Sequence, residues 1–193
     1  MIDRELKRSL GQMIKGVQVI GAAEAGTHRL YTSHWFSQIA FEEPLVLASV
    51  SPKHDTYALL LATGRFSASL LAADQIAEGQ YFSYPGHKFH YVAEEFVEEW
   101  EGLPVVPNSI AWLACEVLDR WTISEHGGDH DLFLGRVTAT HEGRLKAPPL
   151  LYSSRLGWRA TGDPAREKGV SVRDQLLARL GVDPGTVDDE TPE

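Results

Sequence analysis

What most limits the folds open to this chain is the spacing of its strand-forming runs. Residues 16–20, 28–34, 45–50, 66–70, 110–123, 132–140 and 150–152 each carry β-branched, aromatic or alternating apolar residues, and turn composition separates them. Helical patterns are short and lie between or outside these runs. Ile2, Leu6, Leu10, Met13 and Ile14 give residues 2–15 roughly helical spacing, and residues 53–63 offer a helix packed by Tyr57, Leu59, Leu60 and Leu61. Asp74 caps a further helix start, and Ser171-Val172-Arg173-Asp174 forms a capping box ahead of Leu176, Leu177 and Leu180, with Gly181 as the stop. Residues 83–109, interrupted by Pro85, Gly86, Gly102, Pro104 and Pro107, read as the loosest part, and 150–152 as the last strand. So few helices cannot cover both faces of a parallel sheet, so the pattern predicts an antiparallel barrel or sandwich rather than a doubly wound fold.

Composition narrows the function classes. The 193 residues suit one domain, and 18 Lys+Arg against 27 Asp+Glu leave a net charge of −9, which argues against a general nucleic-acid or anionic-membrane binder. Asp183, Asp188, Asp189, Glu190 and Glu193 concentrate five of those charges after Gly181, so residues 1–182 are expected to form a single domain carrying −4, and 183–193 a frayed acidic tail. Cys115 is the only cysteine, which excludes an internal disulfide and any CxxC site. No apolar run approaches the roughly 20 residues of a membrane span, and no signal-peptide core follows Met1, so a cytoplasmic protein is expected. His126 and His130 are four apart and His87 and His90 three apart, but both pairs lie in Gly- or Pro-broken stretches, so no metal site is expected. GxxxxGK[ST], strand-linked GxGxxG, GxSxG and HExxH are absent.

Three stretches carry chemistry. Tyr31-Thr32-Ser33-His34-Trp35-Phe36-Ser37 sets hydroxyls and an imidazole beside an indole at a strand end, a mixture suited to the edge and face of a heteroaromatic ring; a polar turn anchored by one Trp has the same composition. Ser49-Val50-Ser51-Pro52-Lys53-His54-Asp55-Thr56 offers hydroxyls, a helix start and one cation, which suit a phosphate, or else a plain Ser/Thr-rich turn. Gly128-Asp129-His130-Asp131 holds a histidine between two aspartates, oriented by a hydrogen bond at a barrel mouth, unless Asp and Gly serve only the hairpin turn.

In this order, with Pro44, Phe66-Ser67-Ala68-Ser69-Leu70, Cys115 and Pro149-Leu150-Leu151-Tyr152, these stretches resemble the flavin reductase-like family of FMN-binding split barrels over residues 14–158. The resemblance implies a mainly β fold, a six-stranded antiparallel Greek-key split barrel with short flanking helices, working as a homodimer with FMN at the interface. Carried over by position, Thr32, Ser33, His34, Trp35 and Ser37 would line the isoalloxazine and ribityl chain, and Ser49, Ser51, Lys53 and Thr56 would hold the phosphate. His130 would face the nicotinamide side, and Trp158 would cover the ring from the C-terminal segment. The implied activity is hydride transfer from NAD(P)H to flavin, with no catalytic side chain required, and the reduced flavin serving a monooxygenase or other acceptor. The alternative is a flavoredoxin-like FMN electron carrier reduced by a protein partner. This chain departs from the family pattern at Ala40, which replaces a hydroxyl, at Glu43 before Pro44, and at His34 and Trp35, where some branches carry small residues.

Overall fold

A computed structural model describes residues 3–83 and 94–160. Its strands are β1 Lys15–Gly16, β2 Gln18–Glu24, β3 Thr27–Ser33, β4 Phe36–Gln38, β5 Leu45–Val50, β6 Arg65–Leu70, β7 Glu98–Trp100, β8 Leu103–Val105, β9 Ala111–Trp121, β10 Asp131–Glu142, β11 Leu150–Ser153 and β12 Gly157–Ala160. The helices are α1 Arg4–Leu10, α2 Asp55–Thr63 and α3 Ile76–Tyr81, and no described helix is long and apolar enough to cross a membrane.

Seven strands form one curled antiparallel sheet in the order β3-β2-β6-β9-β10-β5-β4. Its two edges, β3 and β4, are joined through only His34 and Trp35. A connection of that length spans roughly 10 Å of chain, so the sheet must curl until its edges approach each other. The Ser49 N–H donates to the Trp35 carbonyl at 2.9 Å and fixes the link against β5. β5 and β6 follow one another in the chain but are separated in the sheet by β10 and β9, so α2 crosses the barrel end between them in the Greek-key manner. The expected barrel is therefore present, with seven strands rather than six because three-residue β4 adds a short edge beside β5.

Pattern explains why the sheet curls. The β9–β10 ladder shifts register between Leu134 and Gly135 and again between Val137 and Ala139, and such bulges bend a hairpin. At Gly135, a Cβ would lie 2.9 Å from the Phe66 ring, so the missing side chain makes room for a fully buried Phe66. Phe66, Ile20, Ala22, Val46, Ala48, Val50, Leu60, Cys115 and Phe133 fill the barrel. β2 is buried on both faces: Ile20 and Ala22 point into the barrel, while Val19 joins Val17, Leu71, Phe82, Val106 and Leu150 in a second cluster. A separate sheet, β1-β11-β12, presents Leu150, Tyr152 and Trp158 to that cluster.

Several expectations are corrected. α1 is shorter than 2–15, and its stripe finds no core: Leu6, Leu10, Met13 and Ile14 are all exposed. Leu61 is also exposed, whereas Tyr57, Leu59 and Leu60 pack inward. Gln75 rather than Asp74 occupies the N-cap position of α3, because Asp74 is engaged by Arg144 through two hydrogen bonds of 2.8 Å. The segment read as loosest contains the β7–β8 hairpin, turned by Glu101 and Gly102 with φ of 54° and 70°. Two successive positive φ values belong to a type I′ turn, and Pro104 is tolerated because this ladder has only two strands. Strand β12 follows the run read as last. His87, His90, the helix expected over 171–180 and the tail 183–193 lie outside the described residues.

The β8 segment is held by hydroxyls: Ser67 Oγ donates to the Pro104 carbonyl, and the Val106 N–H donates to Ser69 Oγ at 2.9 Å. This close approach depends on Gly21, where a Cβ would lie 2.5 Å from the Pro104 oxygen and 2.7 Å from Ser67 Oγ. Gly21→Ala should therefore destabilise the protein by about 1–3 kcal/mol through overpacking, read as a lowered urea midpoint with an unchanged slope.

Candidate functional site

The link between the barrel edges opens into a cleft of about 340 Å³. β3 and the link contribute Tyr31, Thr32, Ser33, His34 and Trp35; β5 contributes Ser49; His54 precedes α2; His130 precedes β10; and Lys15, Ser83, Tyr152 and Ser154 complete the walls. The site thus draws on distant parts of the chain that barrel closure brings together.

Aromatic rings dominate the walls. His34 stacks on Tyr152 with centroids 4.2 Å apart and meets Trp158 edge-on at 5.6 Å. Tyr31 stacks on His54 at 4.4 Å, and Trp35 meets His130 edge-on at 4.8 Å. Trp35 is 52% exposed, leaving an indole surface available, and Lys15 Nζ lies 5.8 Å from its ring centroid. Trp158 therefore backs His34 from the second cluster instead of walling the cleft itself.

Hydrogen bonds fix the polar groups. Ser33 Oγ accepts the Trp35 N–H at 3.2 Å, and Thr32 Oγ1 donates to the Gly79 carbonyl at 2.7 Å, tying β3 to α3. His130 Nδ1 lies 2.8 Å from Asp129 Oδ1, and this pairing holds the Asp129 carboxyl below the usual range. Only one of the two flanking aspartates serves the imidazole. Asp131 is 1% exposed and turns away to accept the Tyr57 hydroxyl at 2.5 Å, which in turn accepts Arg120 Nη1 at 2.9 Å.

The other two histidines of the cleft are shifted toward their neutral forms. Burial, with the Lys15 ammonium nearby, lowers His34 to about 4. Burial and the neighbouring His130 also lower His54, outweighing the opposing effect of Asp55. Among the described residues His34 Nδ1 is buried without a hydrogen-bond partner, as is Asp131 Oδ1 beside His130.

The predicted residues divide into two groups. Thr32, Ser33, His34, Trp35, Ser49 and His130 line one cleft. Ser37, Ser51, Lys53 and Thr56 do not line it: Ser37 Oγ donates to the Gln38 carbonyl, Ser51 Oγ accepts the Lys53 N–H at 3.4 Å, and Thr56 is 1% exposed in the first turn of α2. Lining residues to which the sequence assigned no binding role are Tyr31, His54 and Tyr152, which lie within the quoted stretches, and Lys15, Ser83 and Ser154, which do not. The signal for His54 lay inside the Ser51–Thr56 turn: as an N-cap residue whose side chain makes no capping bond, its ring is free to face the cleft. Lys15 and Ser154 carry no local signal.

The flat aromatic surfaces, the neutral imidazole with an unsatisfied nitrogen and the nearby ammonium suit a planar heteroaromatic group with polar edges and an anionic chain. The histidine shifts have a measurable consequence. The unfolded chain binds protons at His34 from about pH 6.5 downward, whereas the folded chain resists them to about 4. Stability should therefore fall as pH drops through that interval, with no further loss from this group below it. His34→Gln should flatten the decline in Tm between pH 6.5 and 4.5, and His34→Gln with His54→Gln should flatten it further; an unchanged slope would contradict the assignment.

The model of the flavin reductase like domain family matches residues 10–156. An NADH-dependent flavin reductase of Rhodococcus sp is 31% identical over 137 residues, covering 68% of this chain and 73% of its own length. The NADH-dependent flavin reductase StyB of Pseudomonas fluorescens is 30% identical over 158 residues, covering 77% of this chain and 85% of its own. Among solved structures, the styrene monooxygenase flavin reductase SMOB of Pseudomonas putida S12 superposes with a TM-score of 0.71 at 26% identity, covering 82% of this chain and 97% of that one.

Proposed function

The chain belongs to the flavin reductase-like domain family, and on that premise we propose that it is an NAD(P)H:flavin oxidoreductase whose seam cleft binds FMN. The observation that carries the proposal is the cleft itself, where Trp35, His34 and Tyr152 offer ring surfaces and His34 offers a buried nitrogen that has no partner among the described residues. Thr32, Ser33, His34 and Trp35 would contact the ring and ribityl chain, with Ser37 at the outer edge of β4. Ser49, Ser51, Lys53 and Thr56 form the proposed phosphate turn, where the Lys53 ammonium supplies charge and backbone N–H groups supply donors. Bound there, the flavin supplies the hydride-accepting chemistry.

The chain's own contribution is position and electrostatics. His130, oriented by Asp129 and packed edge-on to Trp35, would meet the nicotinamide nucleotide at the mouth. Neutral His34 would satisfy a polar ring edge without placing a second cation beside Lys15. The Arg120–Tyr57–Asp131 chain anchors the start of β10 and hence the loop bearing His130.

A homodimer completes the proposal. Trp35 at the cleft and Ile39 and Phe41 after it are exposed apolar residues that a second copy would cover, and in this reading residues 1–182 are one subunit. The likeness to a styrene monooxygenase flavin reductase supports a monooxygenase as acceptor of the reduced flavin, and we place the protein in the cytoplasm as part of the same reading.

The test is anaerobic. Addition of NADH or NADPH to the FMN-loaded protein should bleach the flavin's visible absorption. Tight FMN binding with bleaching by a protein donor but by neither nicotinamide would overturn the reductase reading in favour of the carrier. His130→Ala should raise the KM for NAD(P)H by about tenfold, the loss of one hydrogen bond to a charged group.

A further inference from the structure

The ring cleft and the proposed phosphate turn meet at one residue. Of residues 51–56, His54 alone lines the cleft, while Ser51, Lys53 and Thr56 lie outside its walls. We infer that His54 is a further ligand of the flavin phosphate and takes up a proton from solvent as that phosphate binds, an inference that rests on the function proposed above.

Backbone bonds place the ring. The His54 N–H donates to the Ser51 carbonyl at 3.0 Å, and the His54 carbonyl accepts the Tyr57 N–H at 3.0 Å, so one residue closes the turn and opens α2. At this N-cap position the backbone is extended, with φ −81° and ψ 135°, and the side chain makes no capping bond. The imidazole instead stacks on buried Tyr31, whose hydroxyl donates to the Ser49 carbonyl at 3.3 Å. One face of the ring is thereby fixed through a side chain tied to β5. Neither ring nitrogen has a hydrogen-bond partner among the described residues, whereas His130 Nδ1 is held by Asp129.

Charge decides which form the ring takes. His130 faces it with centroids 6.5 Å apart, Tyr31 covers it, Asp55 follows it in α2 and Lys53 precedes it in the turn. Asp55 is shared with Arg29, 4.0 Å away. Lys53 also acts on the Asp129 carboxyl, so Lys53, His54 and His130 gather at one end of the cleft. Burial and His130 disfavour a cation at His54 more than Asp55 favours one, and the imidazole lies below its ordinary range.

A phosphate reverses that balance. It favours the charged ring both by its opposite charge and by accepting the ring N–H. The free protein therefore favours the imidazole and the complex the imidazolium, and the difference is a proton drawn from solvent. By linkage, FMN affinity rises as pH falls toward 7, until the phosphate's own second ionisation near about 6 removes the dianion.

The full chain should be titrated with FMN by calorimetry at about pH 7.5 in buffers of different ionisation enthalpy, which counts the protons exchanged on binding. Uptake of roughly half a proton per FMN is expected, with none for riboflavin, which lacks the phosphate. In the unaltered protein, the ring nitrogens of His54 should move toward imidazolium chemical shifts when FMN is added. His54→Gln, its folding checked by circular dichroism, should lose the uptake and bind FMN about tenfold more weakly, the loss of one hydrogen bond to a charged group. His130→Gln should keep the uptake. FMN binding without proton exchange, equal uptake with riboflavin, or His54 shifts that stay at neutral values overturn the inference and leave the flavin reading standing. Uptake that survives in His54→Gln or disappears in His130→Gln does the same. Failure of FMN to bind removes the flavin reading and this inference with it.

Discussion

Everything distinctive about this chain follows from the two-residue join between opposite edges of its main sheet. Because only His34 and Trp35 separate β3 from β4, the sheet cannot stay open, and its curl determines where the helices and the hairpin ends fall. Bulges in the β9–β10 hairpin and Gly135 beneath Phe66 supply the bend. The fully buried Phe66 and Phe133 then fill the enclosed space, each contributing on the order of 1.5–3 kcal/mol of burial energy. Closure leaves a polar, aromatic seam where a continuous sheet would have had a ladder, and the candidate site occupies that seam.

The same join explains the electrostatics. Drawing His34 and His54 from solvent into a wall of rings favours their neutral forms, while Lys15 remains at the margin as a fixed charge. Asp129 is exposed and pairs with His130, whereas Asp131, one step beyond His130, is buried and committed to Tyr57. The two carboxylates that flank His130 in the chain thus have separate tasks, one orienting an imidazole and the other anchoring the strand that presents it.

Local chemistry made much of this legible. Leu45–Val50 stands out because its alternation matches one buried face, residues 66–70 because large and small residues alternate although both faces are buried, and Thr32, Ser33, His34 and Trp35 because polar groups interrupt an apolar run at a strand end. The β7–β8 hairpin was hidden because Gly102 and Pro104 are turn markers in most contexts, and only the hydroxyls of Ser67 and Ser69 make β8 a buried partner. The α1 stripe misled because helical spacing shows which residues share a face but not whether anything packs on it. Lys15, Ser83 and Ser154 were invisible because their role depends on closure, which joins residues without regard to local pattern.

Three buried side-chain atoms lack partners among the described residues: Gln18 Oε1, His34 Nδ1 and Asp131 Oδ1. Each such atom costs about 1–3 kcal/mol, so their distribution matters. Gln18 is paired across the ladder with Ser33, His34 forms the seam, and Asp131 follows His130, so all three lie at or beside residues lining one cleft. Elsewhere the buried polar groups are served: Ser67, Ser69, Gln75 and Ser109 all take part in hydrogen bonds. A chain that satisfies its interior hydroxyls and amides yet leaves its deficits around one aromatic cleft has concentrated its unmet bonding capacity where a polar ring system can meet it.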